Sequence, residues 1–440
     1  MVESEITLPD GSWPLPSETT RLRPIDTGAV LVCGDLNVAD LQRAVDALVV
    51  RQSALRTNIR LLPDSTPIQL VAHPRSHRVL CSTRTIAHEV PHRLPDIARR
   101  ASEGVVDPRR DQLFRVHVLR LSEREHLLLL QIHHMISDGW SISVLYRELS
   151  ALYTAATTGA DAGLPALPFS FAAVCRQMRT ERGSQMAQQQ LRFWHACLAP
   201  PLSPIRFTDG PTTTYTGMSV VDTEPVNISR AVVRALRTTA QASNTRGGVA
   251  GPFLAALAVV LHARTEAHDI RIGMMIANRA RPDTEHLIGY FVNTVVIRLH
   301  IHPDLTAAEL VSAANAAVTE AIEHQTLPIQ DLRRELPDPN APYQVTVALN
   351  TMRTSSLELS GLDCQDVQPH TMERRQAPTT VEQRWVLEER AGALSGTLTY
   401  QVPSFTRTRI LGYLADLDRA MSAVTEPTVL VRDMLYRDVR

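Results

Sequence analysis

The feature that most constrains the fold is a run of four leucines, Leu127–Leu130, inside the stretch from His126 to Ile132. Successive side chains of a β-strand point to opposite faces of the sheet. A strand that is apolar on both faces must therefore be covered on both faces. We predict a central, buried strand here. The polar segment Ser122–Glu125 before it predicts the turn of a hairpin, whose first strand runs from Val116 to Leu121.

A helix is predicted directly after this strand, because apolar residues from Ile142 to Tyr153 recur on one helical face. Ser141 stands where its N-cap is expected. An earlier helix is predicted from Leu36 to Val49, with Asn37 as its N-cap. The other predicted helices are Gln177–Leu198, Ser229–Ser243, Phe253–Arg264, Thr306–His324 and Thr406–Ala423. The other predicted strands are Ala29–Cys33, Ile270–Ile276, Phe291–His300, Gln344–Leu349 and Leu394–Gln401. Helices and strands mixed in both halves predict α/β sandwich lobes.

The length of 440 residues predicts two or three lobes at roughly 100–200 residues each. A linker rich in Gly, Pro and Ala, Gly159 to Phe171, separates the two halves of the pattern. We therefore predict an N-terminal lobe over residues 1–175 and a C-terminal lobe over residues 176–440.

The charge balance excludes some partners. The net charge is −1, so no overall field favours nucleic acid or an anionic membrane. All 45 basic residues are arginine, which excludes lysine nucleophiles and Schiff bases. The five widely spaced cysteines contain no C-x-x-C pair, which argues against a disulfide framework or a cysteine-rich zinc site. The start of the chain has no apolar signal region, so we expect a cytoplasmic protein.

The segment from His133 to Gly139 follows the buried strand and contains the residues best suited to chemistry. His133 and His134 are neighbours on a strand and point to opposite faces, so one of them enters a given cleft. No third metal ligand stands nearby, which argues against zinc. A buried histidine pair that caps the strand fits the spacing about equally well. Asp138 and Gly139 favour a catalytic role. They place an acid, and a turn without side-chain bulk, beside a histidine whose pKa lies near neutral pH.

The segment also resembles the HHxxxDG motif of the condensation domains of nonribosomal peptide synthetases, in the chloramphenicol-acetyltransferase-like superfamily. Four further segments resemble family elements in family order: Arg51–Thr57, Ile276–Arg279, Leu287–Thr294 and His324–Pro328. The family's opening S-x-A-Q-x-R segment is not recognisable, and Gln52 and Ser53 stand where the family has His and Glu. The chain shows no adenylation module and no carrier-protein motif.

The resemblance implies two acetyltransferase-like lobes in a V-shaped pseudo-dimer, with a central tunnel between them. His134 would be the catalytic residue and His133 a structural one. Asp138 would pair with Arg279 and hold the loop that Gly139 opens, whereas Trp140, Ser141 and Asn293 would line the tunnel. A strand-edge Asn293 that binds backbone groups is an equal alternative.

The implied reaction is transfer of an acyl group from a carrier-bound thioester to an amine. We expect a monomer that binds no cofactor or metal of its own. The 4'-phosphopantetheine arm would come from an acyl or peptidyl carrier protein acting in trans, and the acceptor would be a small molecule or carrier-bound. Two alternatives remain open: ester formation on a soluble alcohol, and a non-catalytic scaffold that recruits carriers.

Overall fold

The computed structural model describes residues 2–7, 25–61, 67–86, 93–102, 106–181, 183–199, 204–207, 218–242, 248–336, 342–351, 355–367, 375–378 and 381–435. The described chain forms two compact units. Unit 1 contains residues 1–183, 277–292 and 354–370, and unit 2 contains residues 184–276, 293–353 and 371–440.

Unit 1 contains a five-stranded sheet and a three-stranded sheet. Its strands are β1 (Val2–Thr7), β2 (Ile25–Cys33), β3 (Thr57–Leu61), β4 (Pro67–Ala72), β5 (Cys81–Thr85), β6 (Phe114–Arg120), β7 (Glu125–His133) and β12 (Asp363–Asp366). Its helices are α1 (Val38–Arg51), α2 (Leu94–Ser102), α3 (Gly139–Thr158) and α4 (Phe171–Glu181). The strand orders are β12-β2-β7-β6-β5 and β1-β4-β3.

Strand β7 is the buried strand that the four leucines predict. Leu128 and Leu130 pack into the core that α1 and α3 share, and Leu127 and Leu129 pack with the apolar face of α2. Both faces are covered, and β2 and β6 flank the strand in antiparallel register. The predicted hairpin and the predicted central position are therefore confirmed.

Unit 2 is built on a seven-stranded sheet in the order β10-β9-β11-β14-β15-β8-β13. The strands are β8 (Met218–Ile228), β9 (Asp269–Ile276), β10 (Asn293–His300), β11 (Val345–Asn350), β13 (Arg375–Pro378), β14 (Gln383–Arg390) and β15 (Ala393–Gln401). The helices are α5 (Gln185–Cys197), α6 (Arg230–Ala242), α7 (Ala250–Thr265), α8 (Ala307–Glu323), α9 (Ile329–Glu335) and α10 (Arg407–Ala423). Helix α7 is buried along its whole stretch from Gly251 to Leu261, as expected of a helix that is apolar on every side.

The two units do not coincide with the predicted lobes, which divide the chain after residue 175. The described part of α4 ends at Glu181 and stays with unit 1, and two stretches from the second half of the chain, 277–292 and 354–370, also belong to unit 1. The reasons are specific contacts: β12 pairs with β2, and Arg279 binds Asp138. A division by position in the sequence cannot represent these returning segments. The V-shaped arrangement and the tunnel stay predictions.

Local predictions hold with two corrections. Asn37 caps α1 as predicted, but the N-cap of α3 is Asp138 rather than Ser141, which lies three residues inside. The predicted helix over Gln177–Leu198 is two helices, α4 and α5. All five cysteines are free thiols. Within the described ranges, no helix has the length and apolar character needed to cross a bilayer.

Candidate functional site

The two histidines at the end of β7 have different surroundings. His133 is 1% exposed, its ring Nδ1 accepts a hydrogen bond of 3.1 Å from the backbone N–H of Met135, and its backbone N–H donates to the carbonyl of Leu113. His134 begins a short 3₁₀ turn that ends at Ile136 and is partly exposed. The structure therefore gives His133 a place in the interior and leaves His134 as the histidine that solvent reaches.

Asp138 caps α3 from a fully buried position, with 1% of its surface exposed. Its Oδ1 accepts 2.8 Å hydrogen bonds from the backbone N–H and the hydroxyl of Ser141. Its Oδ2 accepts a 3.0 Å bond from the backbone N–H of Phe291. The negative charge also lies at the N-terminus of α3, where the helix dipole favours it. These contacts occupy the carboxylate and assign it a structural role.

Arg279 supplies the positive partner that the resemblance implied for Asp138. One terminal nitrogen lies 3.0 Å from Oδ1 and 3.3 Å from Oδ2 of the carboxylate, and the other donates to the carbonyls of Thr284 and Leu287. Burial lowers the pKa of the guanidinium, and the neighbouring Asp138 charge opposes that shift. Arginine nevertheless stays protonated in proteins, so this is a buried ion pair.

Two aromatic rings complete the surroundings of Arg279. The guanidinium carbon lies 4.3 Å from the centre of the Phe291 ring and 5.7 Å from that of Trp140. The indole N–H of Trp140 donates to the carbonyl of Glu285 at 2.9 Å. Trp140 therefore has structural contacts, and its expected place beside substrate stays a prediction.

Ser141 is wholly buried and belongs to the same polar arrangement. Its hydroxyl oxygen lies 2.8 Å from both Asp138 Oδ1 and the carbonyl of Gly289. It accepts from the N–H of Gly289 at 3.1 Å and from Arg279 at 3.0 Å. The hydroxyl is therefore engaged inside unit 1, and the expected place of Ser141 in the tunnel lining stays a prediction. We call Asp138, Ser141 and Arg279, with the backbone of Gly289 and Phe291, the Asp138 cluster.

The two glycines near the cluster have different functions in the fold. A Cβ added to Gly289 would lie 2.2 Å from the ring of Phe171, so glycine is required for that ring to pack. A Cβ added to Gly139 would meet no described heavy atom within 4 Å. Gly139 therefore borders open space, next to the start of α3.

A second buried polar network, around Gln52 and Glu148, was not predicted from the sequence. The Gln52 side chain donates to Glu148 and to the carbonyl of His286, each at 2.8 Å, and accepts from the N–H of Ile288 at 3.0 Å. Arg51 adds a 3.0 Å ion pair with Glu148. The signal was available, because Glu148 is an acid on the apolar face of a predicted helix, and a buried acid needs partners.

Asn293 lies in unit 2 and is 7% exposed. Its amide nitrogen donates to the carbonyls of Gln325 and Leu327, at 2.7 and 2.8 Å. Its amide oxygen accepts from the N–H groups of Thr294 and Ile329. Every polar atom of the side chain serves the backbone of unit 2, which favours the structural alternative for this residue.

These features belong to one class of protein. The sequence matches the family model of the condensation domain over residues 27–437, so the chain belongs to the condensation-domain family, in its nonribosomal peptide synthetase type. The fold agrees: the first condensation domain of the calcium-dependent antibiotic synthetase superposes with a TM-score of 0.78 at 18% identity, covering 98% of this chain and 99% of that one.

Two curated relatives carry such a stretch inside a much longer protein. Phosphinothricin tripeptide synthetase PhsC of Streptomyces viridochromogenes is 30% identical over 438 residues, which cover 94% of this chain and 38% of the relative. Chondramide synthase cmdD of Chondromyces crocatus is 29% identical over 411 residues, 91% of this chain and 10% of the relative. The chain thus spans well under half the length of these relatives.

Proposed function

We propose that this chain transfers an acyl or aminoacyl group from a phosphopantetheine thioester on a carrier protein to an amine, forming an amide bond. The carrier acts in trans and supplies the phosphopantetheine arm. The observation that carries the proposal is the arrangement at the end of β7. A partly exposed His134 and a Gly139 that borders open space stand beside a carboxylate that is fully engaged in the Asp138 cluster.

We assign His134 the contact with the reacting groups. An imidazole there can accept a proton from the attacking nucleophile, or position that nucleophile and stabilise the tetrahedral intermediate. Asp138 cannot serve as the base, because its oxygens already accept bonds from Ser141, Phe291 and Arg279. Its function is to hold the turn that presents His134.

The relatives' names support the class of reaction. PhsC is named a tripeptide synthetase, and one solved condensation domain of this fold is described in complex with a substrate analogue. By analogy we propose that this chain joins building blocks of a natural product.

The test is a reconstitution of the purified chain with acyl- and aminoacyl-pantetheine thioesters and, in parallel, amine and alcohol acceptors. Product is identified by mass spectrometry. We expect an amide product that is lost in His134→Ala and retained in His300→Ala, a matched control at a histidine that is 73% exposed in unit 2. An ester product would replace the amide proposal. Undiminished product with His134→Ala would remove the catalytic assignment.

A further inference from the structure

Three polar side chains on neighbouring strands of unit 1 form a chain of hydrogen bonds away from the HHxxxDG segment. Ser82 on β5 stands opposite His117 on β6, and its hydroxyl oxygen lies 2.6 Å from His117 Nδ1. The other ring nitrogen, Nε2, lies 2.9 Å from the amide oxygen of Gln131 on β7. The amide nitrogen of Gln131 donates to the carbonyl of Ala101 at 2.6 Å.

These contacts fix the direction of every proton. The carbonyl of Ala101, in the last turn of α2, can only accept, so the amide nitrogen of Gln131 must face it. The amide oxygen then faces His117, and Nε2 must carry a hydrogen to donate to it. In the neutral ring Nδ1 therefore has a lone pair and accepts the hydroxyl proton of Ser82. A longer contact from this hydroxyl, 3.4 Å to the carbonyl of Val116, is weaker.

We propose that Ser82 is a nucleophile that accepts acyl groups from thioesters and activated esters, with His117 as its base and Gln131 as a positioning residue. In nucleophilic catalysis, the attacking hydroxyl donates a hydrogen bond to an imidazole that a third group orients. An amide can serve as the orienting third member, as the Cys-His-Asn sites of papain-like proteases illustrate. The inference is independent of the reaction assigned to His134.

The position of Ser82 makes it accessible to an acyl donor. The residue is exposed, and β5 is an edge strand of the described five-stranded sheet. On the outer side of this edge strand the N–H of Cys81 already donates to the side chain of Gln42 at 2.8 Å, so the other outward N–H groups of the strand are the ones that can stabilise the oxyanion of a tetrahedral intermediate.

The neighbouring thiol does not compete for the acyl group. Burial raises the pKa of Cys81 to about 12, so the thiol stays protonated near neutral pH, and the thiolate is the reactive form. Cys81 also precedes Ser82 directly on β5, so its side chain points to the opposite face of the sheet.

The step balances without a further reagent. The oxygen of Ser82 forms a bond to the acyl carbon, and the bond between that carbon and the thiolate or phenolate leaving group breaks. His117 Nδ1 takes the hydroxyl proton and returns it to the leaving group. The products are an O-acyl serine and a free thiol or phenol.

p-Nitrophenyl acetate is a suitable probe for the full chain. The chain contains no lysine, so stable acetylation of amines is confined to the N-terminus. We expect a burst of p-nitrophenol that approaches one equivalent, and acetyl-Ser82 in the peptide map. Ser82→Ala should abolish the burst. The matched control Ser76→Ala should retain it, because the hydroxyl of that exposed serine donates to the carbonyl of His73 at 2.9 Å.

Variants at His117 and Gln131 test whether these residues act as a base and its orienting residue or only make structural hydrogen bonds. His117→Phe should slow the burst by about 100-fold or more, the contribution of a general base. Gln131→Leu should slow it by about 10-fold or more. Gln131→Glu keeps an acceptor for Nε2 but turns its second oxygen toward the carbonyl of Ala101, so its burst rate should lie between those of Gln131→Leu and the original chain. Thermal melting of each variant checks that the chain is folded. Acetylation of Ser82 no faster than that of Ser76, or an unchanged burst in folded His117→Phe, would overturn the proposal.

Discussion

Asp138, the centre of the Asp138 cluster, and the surface at His134 and Gly139 come from one seven-residue segment and differ in their surroundings. The cluster is buried, and its carboxylate and guanidinium are matched by donors and acceptors on several elements. His134 is partly exposed, and Gly139 borders open space. The HHxxxDG segment therefore combines a structural half, which holds the turn, with a half that leaves room for chemistry. Each half can be tested by a different measurement.

The largest effect is expected from the structural half. Asp138→Ala leaves Arg279 buried without its carboxylate, which costs about 3–5 kcal/mol of unfolding free energy. Urea denaturation of the purified variant measures the loss, and poor solubility is the expected symptom. A variant with the urea midpoint of the original protein would show that the cluster does not hold the fold.

The second-largest effect is expected at His134, on the reaction rate rather than on stability. His134→Ala should reduce the rate of amide formation by about 100- to 10,000-fold, the usual contribution of a positioned acid or base. The melting temperature should stay within a few degrees, because the side chain is partly exposed. A large fall in melting temperature would place His134 in the structural half and contradict the comparison.

A smaller effect is expected at Asn293, a buried polar residue of unit 2. Asn293→Ala leaves backbone groups around Gln325, Leu327 and Ile329 without their partners, and an unsatisfied buried group costs about 1–3 kcal/mol. Chemical denaturation measures it. If Asn293 instead contacts substrate, the variant would keep its stability and lose acyl-transfer rate.

The smallest effect on stability is expected at Gly139. Because the added methyl meets no described atom, Gly139→Ala should keep or raise the unfolding free energy, by up to about 1 kcal/mol from helix propensity. Bulkier residues in the series Ala, Val, Phe should progressively slow acyl transfer at nearly constant melting temperature. An unchanged rate across the series would show that no reactant passes this position.

Much of the fold was predictable because its signals are local. The leucines of β7 and the apolar face of α3 depend on neighbours a few residues away, and most of the predicted elements match the structure within a few residues, although the helix predicted over Gln177–Leu198 is two helices. Several elements were not predicted, among them strands β8 and β14 and helices α2 and α9. β8 contains Pro225 and several polar residues, and β14 buries a glutamine, Gln383, so neither presents a continuous apolar signal.

The site was predictable only in part, because its contacts join distant residues. Asp138 and Arg279 are 141 positions apart, and their pairing followed from family resemblance rather than from spacing. The wrong prediction of Ser141 as N-cap had the same origin: both Asp and Ser favour caps, and the partners that engage the Ser141 hydroxyl, Gly289 and Arg279, are distant in the sequence. The network of Gln52 and Glu148 was missed for the same reason.

The contact between Gly289 and the ring of Phe171 has a consequence for how the protein can be varied. A library that randomises position 289 alone should return almost exclusively glycine among soluble clones. A library that randomises positions 171 and 289 together should also return alanine or serine at 289, each paired with a small side chain at 171. Positions 171 and 289, which are more than a hundred residues apart, would then tolerate substitution only when both change together.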